Sequence, residues 1–263
     1  MFDFNSAIVR APGRSVVNGL RARPGPAPVF EAVVDEHLSY ISAMRAAGVD
    51  VTVLEALEAF PDSIFVEDPA LVFSQAALLL RPGAPTRREE ARELSATLAA
   101  RFPQVLTLQD GFADGGDILV TPGRVLIGLS ARTNEAGAAN LRQLLDSIGI
   151  ASEVAQVPRG TLHLKTDCSL VDEETVLASE ALADSGVLEG FRTLIVPREE
   201  RAATNAVRVN DVVFIRAGCP CTHDLLEKHG LEVVPLPVNE IGKIDAGLSC
   251  MSLRWFDPAR QSD

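Results

Sequence analysis

Apolar residues recur along the chain in a fixed order: two short runs around a tight turn, a helical stretch, then a third short run. Ile118-Leu119-Val120, Thr121-Pro122-Gly123-Arg124 and Val125-Leu126-Ile127 read as a hairpin. The spacing next predicts a helix from about Glu135 to Ser147, with Leu141, Leu144, Leu145 and Ile148 on one face and Gly149 as its stop. Glu153 to Val157 then reads as a strand.

The same order returns four times. Val207-Arg208-Val209 and Val212-Val213-Phe214-Ile215 flank Asn210-Asp211, before a helix from about His223 to His229 and the run Leu231-Glu232-Val233-Val234. Thr222 is the expected N-cap of that helix. Ile64 to Leu80 predicts two strands, Thr86 and Glu89 a capping box opening a helix through about Arg101, and Val105 to Leu108 a closing strand. Leu170-Val171 and Thr175-Val176-Leu177 begin a fourth unit whose helix is poorly marked. The fifth joins Met251–Trp255 to Ala7–Arg10 and a helix from Val29 to Ala46, where Phe30, Val33, Val34, His37, Ile41 and Met44 keep helical spacing.

Five repeats of about 50 residues suggest a closed cyclic α/β arrangement in which short polar loops converge near an axis. Periodicity alone leaves a three-layer α/β sandwich open. The irregular stretch from Gly19 to Pro28 reads as a surface loop, and no long polar linker divides the chain, so residues 1–263 are expected to form one domain.

Composition narrows the function. Hydrophobic residues make up 47% and charged residues 23%, the balance of an ordinary globular protein. The net charge of −12 argues against a nucleic-acid partner and fits a cationic small substrate, although acidity for solubility alone explains it as well. No apolar run approaches the roughly 18 residues that span a bilayer. Met1-Phe2-Asp3-Phe4-Asn5 shows no basic stretch leading into an apolar one, so a cytoplasmic location is the expectation. The four cysteines, Cys168, Cys219, Cys221 and Cys250, do not read as a disulfide framework in such a chain.

Candidate chemistry gathers at a few places. Asp62, Glu67 and Asp68 lie inside an apolar pattern read as a strand that Pro69 ends. Buried carboxylates need a cationic partner, either an internal arginine or a ligand guanidinium. Gly115-Gly116-Asp117 follows Asp114, and its glycines allow close backbone approach. In Thr161-Leu162-His163-Leu164-Lys165-Thr166, strand alternation would put His163 and Lys165 on one face. Cys250 follows Gly247-Leu248-Ser249, a small-residue lead suited to a nucleophile at a loop-to-strand junction; a buried structural cysteine is the alternative. Cys168 has no such setting. Cys219, Cys221 and His223 offer three soft ligands at an unusual spacing without an evident fourth, so no metal site is expected.

Six ordered segments together resemble the dimethylarginine dimethylaminohydrolases, within the guanidino-group modifying (pentein) enzymes. They are Pro61-Asp62-Ser63 to Phe65-Val66-Glu67-Asp68, Arg81-Pro82-Gly83-Ala84 to Arg87-Arg88, Gly115-Gly116-Asp117, Ala131-Arg132-Thr133-Asn134, Leu162-His163-Leu164-Lys165, and Lys243-Ile244-Asp245 to Leu248-Ser249-Cys250-Met251-Ser252. The resemblance implies a five-fold ββαβ propeller and hydrolysis of methylated arginines to citrulline. It implies Cys250 as nucleophile, His163 as general acid and base, and Asp114, which stands where some members carry Glu, as the acid orienting it. Glu67 and Asp68 would hold the guanidinium, while Arg87 and Arg132 would clamp the substrate carboxylate. Asp62 and the Leu20 carbonyl would take the amino group, and the Ile244 carbonyl, near Asp245, would line the guanidino end. It implies no cofactor or metal, and a small-molecule substrate as partner; a homodimer is compatible with it.

Arginine and agmatine deiminases and amidinotransferases share that fold but resemble one another in carrying His-x-Asp, where this chain has Lys165. A lysine there leaves the guanidino pocket less demanding and admits N-methyl groups. A deiminase is therefore the second reading, and a non-catalytic amino-acid binding protein the third.

Overall fold

The computed structural model describes residues 2–22 and 24–260. Its strands form five three-stranded sheets. The first holds β1 (Ser6–Arg10), followed by α1 (Phe30–Ala46) and β2 (Asp50–Leu54). The second is β3 (Ala70–Phe73), β4 (Ala76–Leu79), α2 (Glu90–Ala99) and β5 (Val105–Thr107). The third is β6 (Ile118–Thr121), β7 (Arg124–Leu129), α3 (Glu135–Ser147) and β8 (Ser152–Gln156). The fourth is β9 (Cys168–Leu170), β10 (Thr175–Ala178), α4 (Glu180–Ala183) and β11 (Arg192–Ile195). The fifth is β12 (Val207–Val209), β13 (Val212–Arg216), α5 (Pro220–Lys228) and β14 (Glu232–Leu236). The last strand, β15 (Leu253–Trp255), returns to β1, pairing Ile8 with Leu253.

Every sheet repeats one pattern. Its middle strand runs antiparallel to the strand before it and parallel to the strand after its helix. The antiparallel partners β3, β6, β9, β12 and β15 all line one central cavity of about 380 Å³, which closes the five units into a ring. The expected ββαβ propeller is the observed fold.

The helices pack on the outer faces of the sheets. Leu141 and Leu145 of α3 are fully buried against Ile118, Val125 and Ile127, and each such leucine stabilises the fold by about 2 kcal/mol. Asn134 caps α3 by accepting the Gly137 amide. The fourth unit, whose helix was poorly marked, has a single turn capped by Ser179. No helix among the described residues is long and apolar enough to cross a membrane.

Four local readings change. Residues 61–69 are successive tight turns, with Ser63, Phe65 and Asp68 each bonding three residues back, and Pro69 precedes β3 rather than ending a strand. Turns let neighbouring carboxylates leave the backbone on different sides, which a strand pattern cannot represent. No side-chain cap forms at Thr86, because Pro85–Arg87 is a 3₁₀ turn and α2 starts at Glu90. His163 and Lys165 do not share a strand face, because Leu164–Thr166 is a 3₁₀ turn closed by Thr166 on the His163 amide. The N-cap of α5 is Cys219, with Pro220 as first helical residue. Thr222 instead lies inside the helix, its amide and hydroxyl both donating to Glu200, at 2.7 and 2.6 Å.

Candidate active site

Each inner strand is entered through a tight loop, and the ring brings these loops together at one end of the channel. Cys250 lies in the turn Ser249–Met251 ahead of β15, and its carbonyl accepts the Glu67 amide at 3.2 Å. His163 precedes the turn leading to β9, and Asp114 precedes Gly115–Asp117 at the start of β6. Asp68 stands two residues before β3. Cys250, His163, Asp114 and Asp68 line one small cavity of about 40 Å³.

His163 Nε2 lies 2.9 Å from Asp114 Oδ2, leaving the other ring nitrogen for proton transfer. Asp114 is itself fixed, because Oδ1 accepts the Gly83 amide at 2.7 Å and its own amide donates to Thr133. Asp117 accepts from Ser130, Thr133 and the Leu164 amide, and so anchors the histidine turn. Its only advance signal was its place in Gly115-Gly116-Asp117. A Cβ on Gly116 would fall 2.8 Å from the His163 ring, so a glycine there lets the two loops meet.

The three early carboxylates separate. Asp68 faces the cavity, where Oδ1 accepts the Gly116 amide at 3.2 Å and Oδ2 pairs with Arg87. Asp62 also lines the cavity and accepts the Leu20 amide at 2.9 Å. Glu67 turns away into the central channel, where it meets Lys165 Nζ at 2.5 Å, Arg254 at 3.4 Å and the Ser249 hydroxyl at 3.0 Å. Glu67, expected to hold the guanidinium, is thus engaged by two internal cations and is absent from the lining of the Cys250 cavity, because adjacent residues in a turn diverge.

Arg87, expected to clamp a carboxylate, lines the same cavity but is already engaged inside the protein. Arg87 is 4% exposed, and its guanidinium donates to both Glu90 oxygens, Asp68 and the carbonyls of Asp62 and Phe65. It is the internal cation that lets Asp68 and Glu90 stay buried. Arg132 is half-buried, lines the cavity, and makes no ion pair among the described residues.

Leu20, Ile244 and Asp245 complete the wall, together with Phe65, Leu162 and Ala246, which carry no chemical signature in the sequence. Asp245 adopts a left-handed backbone, φ 56°, and accepts the Ala22 amide, so Asp62 and Asp245 staple the 20–22 segment over the cavity. A neighbouring space of about 320 Å³ shares Cys250, His163, Leu162 and Asp245 and extends toward Arg201 and Arg216.

The charges are strongly perturbed. Burial opposes the His163 imidazolium, but the Asp114 hydrogen bond and the charges of Asp68, Asp117 and Asp114 outweigh it and hold the pKa at about 9. Burial and then Asp68 and Glu67 push the Cys250 thiol up to about 12, against the Gly247 amide and Lys165. Burial also raises Asp68, yet Arg87 and His163 prevail and hold it below the usual carboxylate range. Asp62 is raised, mainly by burial. Cys168 is buried, with its thiol pushed up to about 12 by burial, which fits a structural residue.

Among the described residues, metal-sized groupings of side chains are Asp68 with Asp114 and His163, and His223 with Asp224 and Glu227. Cys219 and Cys221 belong to neither. In the first group Arg87 and the imidazolium already balance the carboxylates.

A five-unit α/β propeller that closes a cysteine, a histidine and carboxylates into one cavity defines the guanidino-group modifying, or pentein, class. Residues 27–210 match the family described as "N,N dimethylarginine dimethylhydrolase, eukaryotic". The chain is 35% identical to the N(G),N(G)-dimethylarginine dimethylaminohydrolase of Pseudomonas aeruginosa over 96% of its own length and 100% of that protein's. It belongs to the dimethylarginine dimethylaminohydrolase family. A cysteine-to-serine mutant of the P. aeruginosa protein complexed with citrulline superposes with a TM-score of 0.93 at 35% identity, covering 96% of this chain and 100% of that one. A histidine-to-glycine dimethylarginine dimethylaminohydrolase, as an adduct with S-methyl-L-thiocitrulline, gives 0.92 at 35% identity, covering 95% and 99%.

Proposed function

We propose that this protein hydrolyses N-omega-methylated arginines to citrulline and methylamine or dimethylamine, with Cys250 as nucleophile. The observation that carries this reading is the meeting of Cys250, His163, Asp114 and Asp68 in one cavity beside the uncommitted cation Arg132. Residues 1–263 act as one catalytic unit, since loops from separate sheets build the cavity. Its four free cysteines suit a reducing compartment, the cytoplasm.

Asp68 orients the substrate guanidinium, while Arg132 binds the carboxylate and Asp62 with the Leu20 carbonyl the amino group. Lys165 engages Glu67, so no second carboxylate grips the guanidino edge and a methyl group meets no unsatisfied acceptor there. The bound cation offsets the burial, and after it the carboxylates, that hold the thiol neutral; Cys250 loses its proton to solvent and its thiolate adds to the guanidino carbon. His163, protonated at neutral pH, gives its proton to the departing amine as the C–N bond breaks, leaving a thiouronium on Cys250. Neutral His163 then takes a proton from water as the oxygen attacks that carbon. Collapse breaks the C–S bond, the hydroxyl proton passes to solvent, and the Cys250 thiolate and the ureido group of citrulline are left. Release of citrulline and dimethylamine from asymmetric dimethylarginine by the wild type, absent in Cys250→Ser, tests the reading.

A further inference from the structure

The five loops that enter the inner strands are equivalent by the symmetry of the ring. Four carry residues already placed: Glu67 and Asp68 before β3, Asp114 before β6, His163 and Lys165 before β9, and Cys250 before β15. The fifth, before β12, carries Asn205, to which the sequence and the family resemblance gave no part.

Asn205 is 9% exposed, and both ends of its amide are engaged. Its Oδ1 accepts the Ser249 amide at 2.9 Å, while Nδ2 donates to the Lys165 carbonyl at 2.8 Å and the Ser249 hydroxyl at 3.1 Å. One side chain thus joins the turn that carries Cys250 to the turn that follows His163. Ser249 passes the link to Glu67, and Glu67 returns it to the Lys165 side chain, so the bonds close a ring through four loops. The approach is close: a Cβ on Gly247 would lie 2.4 Å from Asn205 Oδ1. Gly247 leads into the Cys250 turn, and its amide opposes the rise that burial imposes on the Cys250 thiol.

We infer that Asn205 is a positioning residue for the reaction, the fifth unit's contribution to the site, fixing the Cys250 turn against the His163 turn. The inference rests on Cys250 and His163 being the reacting pair. Asn205 lies outside the lining of the small Cys250 cavity and borders only the neighbouring space. Its effect runs through Ser249 and Gly247, whose placement sets where Sγ sits and how well the Gly247 amide supports it.

The test uses Asn205→Ala and the isosteric Asn205→Asp in the full-length protein. Each preparation is normalised to its folded fraction by circular dichroism. Two readouts are taken: turnover of asymmetric dimethylarginine, and the pH dependence of iodoacetamide alkylation at Cys250, located by peptide mass. Displacement of a reacting group by a fraction of an ångström to 1 Å costs up to about 100-fold, so kcat is expected to fall by about 10- to 100-fold with KM within about 3-fold of wild type. Alkylation is expected to move to higher pH, because the turn no longer holds the Gly247 amide against Sγ. A folded variant with wild-type kcat and an unmoved alkylation profile overturns the inference. A purely structural role would lower the folded fraction and leave both readouts per folded molecule unchanged. A wild type that releases no citrulline refutes the reading of the site, whereas the alkylation profile still decides the part of Asn205.

Discussion

Lys165 Nζ lies 2.5 Å from Glu67 Oε1, a pairing between two loops that holds Glu67 in the central channel and out of the cavity of Cys250. Both side chains are largely buried, so truncating one leaves the other's charge poorly compensated. Lys165→Met should lower the unfolding free energy by about 3 kcal/mol, the lower end for a broken buried pair because Arg254 remains near Glu67. Adding Glu67→Gln should recover part of that loss. Urea denaturation of the two singles and the double measures the coupling, and additive losses would contradict it.

Two arginines that look alike in the sequence should behave differently. Arg132→Ala should raise KM for dimethylarginine by about 100-fold with a small change in kcat, because it removes a charge-assisted contact to the bound carboxylate. Arg87→Lys should instead cost about 2 kcal/mol of stability, because lysine cannot reproduce the guanidinium's fork to Glu90 and Asp68. Steady-state kinetics and urea denaturation of both variants separate the roles, and a stability loss confined to Arg132→Ala would reverse them.

Asp114 sets the charge of His163. Asp114→Asn should lower kcat by about 100-fold, the scale of general acid–base catalysis. In the wild type kcat/KM should decline above about pH 9, as the acid form of His163 is lost. In the variant that decline should begin at lower pH. An unmoved alkaline limb would show that His163 is not the group reported by it.

Two histidines should tilt stability in opposite directions. The folded pKa of His163, about 9, lies above the unfolded value near 6.5, so its contribution is complete below about pH 6.5 and is lost as pH rises through 9. His37 is buried in α1, its Nε2 has no hydrogen-bond partner among the described residues, and burial lowers its pKa to about 4. Its contribution is present above about pH 6.5 and is lost as pH falls through 4. His163→Gln should therefore flatten the alkaline side of the stability curve and His37→Gln the acid side, read by urea unfolding between pH 4 and 9. The reverse assignment would contradict both environments.

The ring was legible because its period is local: a hairpin, an amphipathic helix and a parallel strand repeat, and Leu141, Leu145 and Gly149 mark their places without tertiary help. The grouping of Asp114, His163 and Cys250 came from the resemblance of the six ordered segments taken together, and the three line one cavity. The direction of Glu67 was not legible, because a one-residue difference within a turn decides which cavity a carboxylate enters. The internal partners of Arg87 were hidden for a related reason. Its partner Glu90 lies three residues on and reads as an ordinary helix acid, so nothing local shows that the guanidinium is already satisfied. Asn205 bonds across loops some 40 residues away in either direction, a relationship visible only after folding.

The most direct measurement is mass-spectrometric detection of products from asymmetric dimethylarginine, monomethylarginine and arginine, with wild type and Cys250→Ser. The account predicts citrulline in equal amount with dimethylamine or methylamine, a trapped adduct on Cys250 in acid-quenched samples, and no product from the serine variant. Citrulline and ammonia formed from arginine much faster than amine from either methylated substrate would contradict it.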